Sequence, residues 1–344
     1  MSTFLITGGA GFIGSHLSET LLGLGHRVNV LDDLSTGRLT NVKRLQSHPG
    51  FTFVQGDVAD AALIDDLVEA SDGVFHLAAS VGVFNILEYP AESIVNNIDG
   101  TRVLLAAAVR RRTRVLLASS SEVYGKNCEP PFRETADIVF GEPTKSRWSY
   151  ASSKLVDEYL GLAAWKEQKV PVVVVRLFNT IGPRQLGCYG MVVPRLFGQA
   201  MSGASLTVYG DGCQTRCFTY VSDIVEWLIR LSGTDEAVGE IFNLGNPQEI
   251  SITDLAKRVI HISRSKASIE YIPYEQAYSE DFEDTPKRVP DISKVVRVTG
   301  YMPRVGLDES LHRIHRWMCQ ETPAEFRKVE PAPAFLPDRE AFSA

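Results

Sequence analysis

The first 180 residues alternate short apolar runs with longer amphipathic stretches, and this alternation limits the chain to few folds. Apolar runs of about four to seven residues between helical periods are typical of parallel strands covered on both faces. We therefore predict the α/β class, with a doubly wound parallel sheet. The predicted strands are TFLIT, RVNVLDD, FTFVQGD, GVFHLAA, RVLLAS and VPVVVVRLFN, and the predicted helices end near Leu24 or span about 93–111 and 150–168.

After Asn179 the rhythm changes, because prolines and isolated glycines interrupt the pattern. We expect a first domain over 1–180 and a smaller C-terminal lobe over 181–320, some of whose chain crosses back to the sheet. The proline-rich tail, 321–344, is expected to be loosely ordered. Within the lobe, the sequence predicts a strand near 206–209 and helices near 221–231, 252–262 and 307–318.

Charge and composition exclude several classes of protein. The formal net charge of −7 argues against a general affinity for nucleic acid. No apolar run approaches the roughly 20 residues of a membrane span, and the start MSTFLITGG resembles no leader, so we predict a cytoplasmic protein that does not bind membranes. The five cysteines form no CxxC pair, which indicates neither a disulfide framework nor a metal site.

The segment TGGAGFIG follows the first predicted strand and opens a helix. Gly8, Gly11 and Gly14 suit a tight turn, close approach to a pyrophosphate, and close packing of helix on strand, as in a Rossmann domain. The next strand ends in Asp32, where a carboxylate can accept both hydroxyls of the adenosine ribose and repel a 2′-phosphate. We therefore predict NAD as the cofactor, rather than NADP.

Asp57 and Val58 follow the third predicted strand. They are candidates to contact the adenine of the cofactor. A helix cap followed by a core residue is an equally good interpretation of the pair.

YASSK places Tyr150 and Lys154 four residues apart, hence on one face of a helix about 5 to 6 Å apart. A neighbouring cation favours the phenolate. Lowering the tyrosine pKa by about three units requires about 4 kcal/mol, which Lys154 and a cationic nicotinamide could supply together. Such a tyrosine could take a proton from a sugar hydroxyl while hydride leaves for NAD. The competing interpretation is a cation beside a ring on a helix surface.

Together with TGGAGFIG, this motif resembles the extended short-chain dehydrogenase/reductase family, specifically its nucleotide-sugar epimerases, dehydratases and decarboxylases. The resemblance covers residue 3 to about 318. It includes HLAAS (76–80), SSSEVYG (119–125), RLFNTIGPR (176–184), VYGDGCQTRCFTYVSD (208–223) and FNLGNP (242–247).

The resemblance implies roles for individual residues. Ser120 would bond the reacting sugar oxygen, Tyr150 would be the acid/base, and Lys154 would orient the nicotinamide ribose. Arg216 and Arg288 would bind the diphosphate, and Arg195 would lie along the base and ribose. For each of these arginines a solvent salt bridge is the alternative. The other implied residues are Ser121 and Glu122 for catalysis, Phe12, Ile13, Leu77, Ala78 and Ala79 for the cofactor, and Asn179, Val193 and Tyr209 for the substrate.

The shared first step of this family is oxidation of the sugar C4 hydroxyl to a ketone. Ser121-Glu122 stands where 4,6-dehydratases typically carry Asp-Glu, and simple 4-epimerases more often have a small or neutral residue at the glutamate. SSSEVYG, KSRWSYASSK and QTRCFT are similar to bacterial UDP-glucuronate decarboxylases and plant UDP-apiose/xylose synthases. We therefore expect a UDP-uronic acid substrate and decarboxylation. The first alternative is 4-epimerisation. Two less favoured alternatives are dehydration and a non-catalytic sensor of NAD and sugar nucleotides.

Two further points come from the resemblance. The segment AASVGV (78–83) departs from those decarboxylases, and Glu122 could instead cap the turn after its strand without touching substrate. The helices near 93–111 and 150–168 commonly pair across a twofold axis in this family, which implies a homodimer through a four-helix bundle.

Overall fold

The fold comes from a computed structural model that describes residues 1–82, 86, 88–187, 190–277, 285 and 287–321. Its strands are β1 Thr3–Thr7, β2 Arg27–Asp32, β3 Phe51–Gln55, β4 Gly73–His76, β5 Arg114–Ser120, β6 Val172–Leu177, β7 Thr180–Ile181, β8 Leu206–Tyr209, β9 Thr215–Cys217, β10 Thr219–Tyr220, β11 Ile241–Leu244, β12 Glu249–Ser251 and β13 Ile269–Ile272. Its helices are α1 Phe12–Gly23, α2 Leu39–Val42, α3 Ala61–Glu69, α4 Pro90–Arg111, α5 Arg147–Gln168, α6 Val192–Ser202, α7 Val221–Ser232, α8 Ile252–Ser263, α9 Tyr274–Ala277, α10 Ser293–Thr299 and α11 Leu307–Glu321, with 3₁₀ turns at Lys43–Leu45, Ser121–Tyr124 and Asp235–Ala237.

Seven of these strands form one parallel sheet in the order β11-β6-β5-β4-β1-β2-β3. The chain builds outward from β1 through β2 to β3, and then crosses to β4 on the other side of β1. In such sheets ligands bind beyond the carboxyl ends of the strands, where the winding direction reverses. The predicted α/β class and doubly wound sheet are confirmed.

Side chains alternate between two cores, one on each face of the sheet. In β6, Val172 and Val174 pack on one face, while Val173 and Val175 pack on the other, and all four are fully buried. Helices α3, α4 and α5 cover the first face, and α1, α7 and α10 cover the second. Burial on both faces is the reason that the strands read as continuous apolar runs.

The C-terminal half has a separate core formed mainly by α6, α8 and α11 against β8. β8 pairs with β13 in parallel, and β9 pairs with β12 antiparallel. Residues of this half also return to the main sheet, because β11 pairs with β6 and α7 packs against the second face. The domain boundaries at 180/181 and 320/321 stay predictions, and residues 322–344 of the predicted tail lie outside the described residues.

Helix α5 begins at Arg147, three residues before the predicted start at Tyr150. Trp148 is buried, and its burial favours an extra helical turn ahead of the YASSK motif. Similarly, α4 begins at Pro90 rather than near Ser93, because proline suits the first position of a helix. The earlier start of α5 brings Arg147 onto the same helix as Tyr150.

Among the described helices, none has the length and apolar character that crossing a membrane requires. The predicted cytoplasmic location stays a prediction. Of the cysteines in the described part of the chain, Cys128, Cys213, Cys217 and Cys319 are free thiols, whereas Cys188 lies outside it.

Candidate active site

A cavity of about 820 Å³ lies at the carboxyl edge of the main sheet. Its wall includes the ends of β1, β2, β4 and β5 together with residues of α6, β8 and β9. Every residue that the sequence analysis assigned to cofactor, substrate or catalysis lines this cavity, from Gly8 to Arg288. The structure thus brings the predicted cofactor, substrate and catalytic residues into one cavity, while their individual roles stay predictions.

The glycine segment forms a tight turn between β1 and α1. Gly8 adopts φ +70°, and a Cβ atom there would lie 2.8 Å from the backbone nitrogen of Ala78. A Cβ atom on Gly14 would lie 2.3 Å from the carbonyl oxygen of Gly8. No side chain larger than hydrogen fits at either position. The first turn of α1, FIGS, carries no acidic residue, so its N–H groups suit an anionic pyrophosphate.

Asp32 is fixed at the end of β2 with little exposure. Its two carboxylate oxygens accept hydrogen bonds from the backbone nitrogens of Ala10 and Leu34, each at 2.9 Å. Burial raises the pKa of Asp32, partly opposed by these backbone hydrogen bonds. Each oxygen has a further lone pair, which is the capacity that binding two ribose hydroxyls requires. The site therefore fits the adenosine half of a dinucleotide.

Asp57 and Val58 both line the same end of the cavity. The Asp57 carboxylate accepts from the backbone nitrogen of Ala59 at 2.8 Å, whereas the residue that caps α3 is Asp60. The alternative interpretation of Asp57 as the helix cap is therefore wrong. Val58 also packs against α4, since a Cβ atom on Gly100 would lie 2.6 Å from a Val58 methyl group.

Tyr150 and Lys154 lie on α5 beside the end of β5. Lys154 is buried and donates a hydrogen bond to Asp157, with 3.0 Å between Nζ and Oδ2. Burial raises the pKa of Tyr150, and the carboxylates of Glu122 and Asp157 raise it further. Lys154 and a hydrogen bond with Ser120 lower it, but the net direction is upward. Desolvation and two carboxylates thus outweigh the lysine charge in the protein without its cofactor. The expected acidification, which requires a cationic nicotinamide as well as Lys154, stays a prediction.

Ser120 and Glu122 mark the end of β5. The Ser120 hydroxyl accepts from the backbone nitrogen of Glu122 at 3.2 Å and so caps the 3₁₀ turn Ser121–Tyr124. This turn directs Glu122 into the cavity, where its Oε1 accepts from Arg288 at 2.6 Å and its Oε2 from Arg147 at 3.2 Å. The alternative in which Glu122 caps the turn away from the cavity is therefore wrong.

The arginines control the charge of Glu122. Burial by itself would raise the pKa of this carboxyl, but Arg288 and Arg147, with a further contribution from Arg216, hold it at about 2. Glu122 is consequently ionised at neutral pH. All three guanidinium groups line the cavity, and guanidinium groups are suited to binding carboxylates and phosphates.

The cation Arg147 was missed in the sequence analysis. It lies three residues before Tyr150, and its side chain is 9% exposed. The available signal was the segment KSRWSY, which places Arg147 one turn ahead of Tyr150 once the helix is known to start there. The polar residues Gln214 and Tyr274, also missed, line the cavity on the C-terminal side.

Arg195 and Tyr209 form the wall farther from the sheet. The Arg195 guanidinium lies 4.4 Å from the Tyr209 ring centroid and donates to the Thr207 carbonyl oxygen at 2.9 Å and to the Thr207 hydroxyl. The alternative of a solvent salt bridge is wrong for this residue. A guanidinium held over a ring in this way forms a surface on which a base or ribose can pack.

Asn179, Val193 and Arg216 complete the predicted substrate wall. Asn179 donates from Nδ2 to the carbonyl oxygen of Cys217 at 3.1 Å, and Arg216 donates to the carbonyl oxygen of Thr215 at 2.8 Å. Val193 is buried in the core of the C-terminal half at the start of α6. In the part of the chain that the structure describes, no three His, Cys, Asp or Glu side chains group as a metal site would require.

Comparisons with known proteins agree with the geometry of the site, because the matches are enzymes that act on nucleotide sugars. A family model described as GDP-mannose 4,6 dehydratase matches residues 5–314. The chain is 42% identical to UDP-N-acetyl-alpha-D-glucosaminuronate decarboxylase of Bacillus cytotoxicus, over 95% of this chain and 98% of the relative. It is 38% identical to UDP-glucuronic acid decarboxylase 1 of Xenopus tropicalis, over 92% of this chain and 72% of the relative.

A solved structure shares the fold at similar coverage. The UDP-glucuronic acid 4-epimerase of Bacillus cereus, crystallised with UDP-glucuronic acid and NAD, is 29% identical over 92% of this chain and 99% of that chain, with a TM-score of 0.82. The family match spans both the glycine turn and the arginine-lined wall. The protein therefore belongs to the GDP-mannose 4,6-dehydratase family of the extended short-chain dehydrogenases/reductases, as its sequence predicted.

Proposed function

We propose that the protein is an NAD-dependent decarboxylase of a UDP-uronic acid, which acts through oxidation of the sugar at C4. The observation that carries this proposal is the arrangement of Arg147 and Arg288 around Glu122, in the same cavity as Tyr150. Guanidinium groups that line the cavity beside Tyr150 can donate hydrogen bonds to the carboxylate of a uronic acid, a group that a neutral hexose does not have. The decarboxylase relatives add independent support.

The cofactor end of the cavity fits NAD. Gly8 and Gly14 leave room for the pyrophosphate, and Asp32 offers acceptors for the ribose. When bound, NAD supplies the hydride acceptor for oxidation of the sugar. Lys154 would hold the nicotinamide ribose. To do so, its ammonium would share its hydrogen bonds between the ribose and Asp157.

Tyr150 is the residue that takes the proton from the C4 hydroxyl. The Ser120 hydroxyl beside it bonds the same sugar oxygen and limits its position. The residues of the protein keep Tyr150 neutral in the resting state, so its activation depends on the positive charge that arrives with the oxidised cofactor. The protonated tyrosine then donates a hydrogen bond to the C4 ketone.

The ketone makes loss of the carboxylate feasible. The bond between C5 and the carboxylate carbon breaks, carbon dioxide leaves, and the electron pair moves through C5 and C4 to the C4 oxygen. Tyr150 and Ser120 stabilise the negative charge that develops there. Uptake of a proton from water at C5 then gives the 4-keto pentose. Return of the hydride to C4, with a proton from Tyr150 to the C4 oxygen, would give the UDP-pentose. Arg147 and Arg288 orient the carboxylate before it leaves, and for Arg288 this role replaces the diphosphate role that the resemblance implied, because Arg288 contacts Glu122. Ionised Glu122 fixes both guanidinium groups and can accept a proton but not supply one.

A second candidate is 4-epimerisation of a UDP-uronic acid. The supporting observation is the likeness to the Bacillus cereus epimerase that was crystallised with UDP-glucuronic acid. The two reactions share the C4 ketone and differ in whether the carboxylate is kept. In an epimerase the arginines must hold the carboxylate while the ketone turns, so release of carbon dioxide distinguishes the two.

The experiment is to incubate the protein and NAD with UDP-glucuronate, with its 2-acetamido analogue and with UDP-glucose, and to follow products by NMR and carbon dioxide release. We expect a UDP-pentose or its 4-keto form, together with carbon dioxide, from at least one uronic acid and none from UDP-glucose. UDP-galacturonate without carbon dioxide would establish the epimerase instead.

We also infer a homodimer that forms through α4 and α5. Val95 on α4 and Val156 and Tyr159 on α5 are 54%, 37% and 64% exposed. Large apolar side chains on two adjacent helices support a helix-to-helix contact between copies of this chain. Two helices from each protomer would form the expected four-helix bundle.

A further inference from the structure

Asp157 is a buried carboxylate one turn beyond Lys154 on α5. Its Oδ2 lies 3.0 Å from the Lys154 ammonium, and the two side chains are 0% and 3% exposed. Its Oδ1 is buried and has no hydrogen-bond partner among the described residues. A buried carboxylate with one unpaired oxygen destabilises a fold, so packing alone does not account for an aspartate at this position.

Glu158, the next residue, shows what a structural carboxylate on this helix looks like. Its Oε1 accepts from the Ser119 hydroxyl at 2.6 Å and from Arg176 at 2.9 Å, and its Oε2 accepts from Arg176 at 2.7 Å. Both oxygens of Glu158 are paired, and they join α5 to β5 and β6. Asp157 instead has as its partner the lysine of the YASSK motif.

We propose that Asp157 is a positioning residue for the reaction, which holds the Lys154 ammonium and sets how much of its positive charge acts on the Tyr150 hydroxyl. This inference rests on the proposed function, because it takes Tyr150 as the base. When the cofactor ribose recruits Lys154, the ammonium shares its hydrogen bonds between ribose and Asp157. The carboxylate thereby keeps the ammonium charged and on the cavity side of the helix.

The charged groups around this pair come from three elements. Lys154 and Asp157 lie on α5, with Glu158 beside them; Glu122, held by Arg147 and Arg288, faces Tyr150 from the turn after β5; and His76 faces Lys154 from β4. Asp157 raises the pKa of Tyr150, and, against the effect of burial, it raises that of Lys154. Removing the charge of Asp157 lowers both values.

The test is the pH dependence of kcat for Asp157→Asn, measured at saturating NAD and substrate. The acid limb reports Tyr150 and the basic limb reports Lys154, so we expect both to move to lower pH, by about 0.5 to 1 unit. Glu158→Gln is the matched control for loss of a buried carboxylate; it should lower the thermal midpoint and move the limbs less. Limbs at their wild-type positions with a uniformly lower kcat would overturn the inference.

A second measurement needs no turnover. In NAD-loaded protein carrying ¹³Cζ-tyrosine, the Tyr150 signal is assigned by its absence from Tyr150→Phe and is titrated in wild type and Asp157→Asn. A lower midpoint in the variant supports the inference and an unchanged midpoint contradicts it. If Asp157→Asn does not fold, the same titration is carried out with Asp157→Ser. Absence of turnover on every UDP-uronic acid would reject the proposed function and leave this titration interpretable.

Discussion

Glu122 is ionised because guanidinium groups from two other parts of the chain reach it. Arg147 lies 25 residues away in sequence and Arg288 lies 166 away, yet both contact the carboxylate. Both guanidinium groups line the cavity beside Tyr150, and a guanidinium can bind a carboxylate through two hydrogen bonds. At the scale of single residues, this pair of arginines is the feature that favours a uronic acid over a neutral sugar.

Removal of Arg288 tests that feature. In Arg288→Ala we expect kcat/KM for the uronic acid to fall by about 100-fold or more, because truncation removes a buried guanidinium group that would bind the substrate carboxylate. Steady-state assays of carbon dioxide release measure it. Arg133, whose side chain is 75% exposed and pairs with Asp291, provides the matched control, and Arg133→Ala should stay near wild type. Equal losses in both variants would contradict the role of Arg288.

The phenol of Tyr150 can be tested in the same assay. Tyr150→Phe removes the proton acceptor, so turnover should fall by about 100- to 10,000-fold while NAD affinity changes little. Calorimetric titration with NAD and product NMR provide the two readouts. Tyr159→Phe changes an exposed tyrosine on the same helix and should keep wild-type turnover. Normal activity of Tyr150→Phe would remove Tyr150 from the mechanism.

The β1–α1 element shows how backbone geometry makes a site. Gly8 and Gly14 approach other backbone atoms so closely that a methyl group would require a shift of the turn. The strand, turn and helix therefore act as a unit. A change in any part of it alters the space available to the pyrophosphate.

Two glycines of α1 give a matched comparison. Gly14→Ala should weaken NAD binding by about 100-fold or more and lower the thermal midpoint, because the new methyl group meets backbone. Gly23→Ala, at the end of the same helix, meets no atom within 4 Å and should be neutral or stabilising by about 0.5 to 1 kcal/mol. Calorimetry with NAD and thermal unfolding measure both. Tight NAD binding by Gly14→Ala would exclude the predicted use of this turn.

At the scale of the whole molecule, buried histidines make stability depend on pH. His76 lies between the hydroxyls of Thr7 and Thr101, and burial, with a contribution from Lys154, lowers its pKa to about 3. Burial, helped by Arg184, lowers the pKa of His16 to about 4. In the unfolded chain both bind a proton below about pH 6.5, so their contribution to stability is complete above that pH and is lost as the pH falls.

Urea unfolding between pH 6.5 and 4.5 checks this sign. Wild type should lose stability across the window, and His76 alone should account for about 2 to 3 kcal/mol of the loss. His76→Asn should lower stability at pH 7 and lose less on acidification, whereas His48→Gln, at an exposed position, should follow wild type. The contribution of Glu122 to stability is complete above about pH 4.5 and is lost as the pH falls further, because its pKa of about 2 is depressed from 4.5. An unchanged slope in His76→Asn would contradict the assignment.

The inferred homodimer is also a property of the whole molecule. Tyr159→Glu would put a charge into the α4–α5 contact, and we expect sedimentation analysis to show monomers at concentrations where wild type is dimeric. Tyr271→Glu changes a comparably exposed tyrosine on β13 and should leave the assembly unchanged. A monomeric wild type would reject the proposed interface.

The sequence by itself determined the sheet, the glycine turn and the residues at the cofactor end of the site. These features depend on short-range patterns, since strand and helix periods, a glycine at a tight turn and an acid at a strand end are each specified by a few neighbouring residues. The residues on the substrate side, such as Arg288, came from the family resemblance, and they line the same cavity as Gly8. Arg147 escaped prediction because the start of α5 depends on the burial of Trp148.

Only the tertiary structure decided the charge state of the site. The direction of the Tyr150 pKa depends on the depth of burial and on the carboxylates of Glu122 and Asp157. The ionisation of Glu122 depends on Arg288, far away in sequence. Electrostatic energy follows distance through space and exposure to water, and neither is encoded in local spacing. The types of chemical group could therefore be read from the sequence, while their protonation required the packed chain.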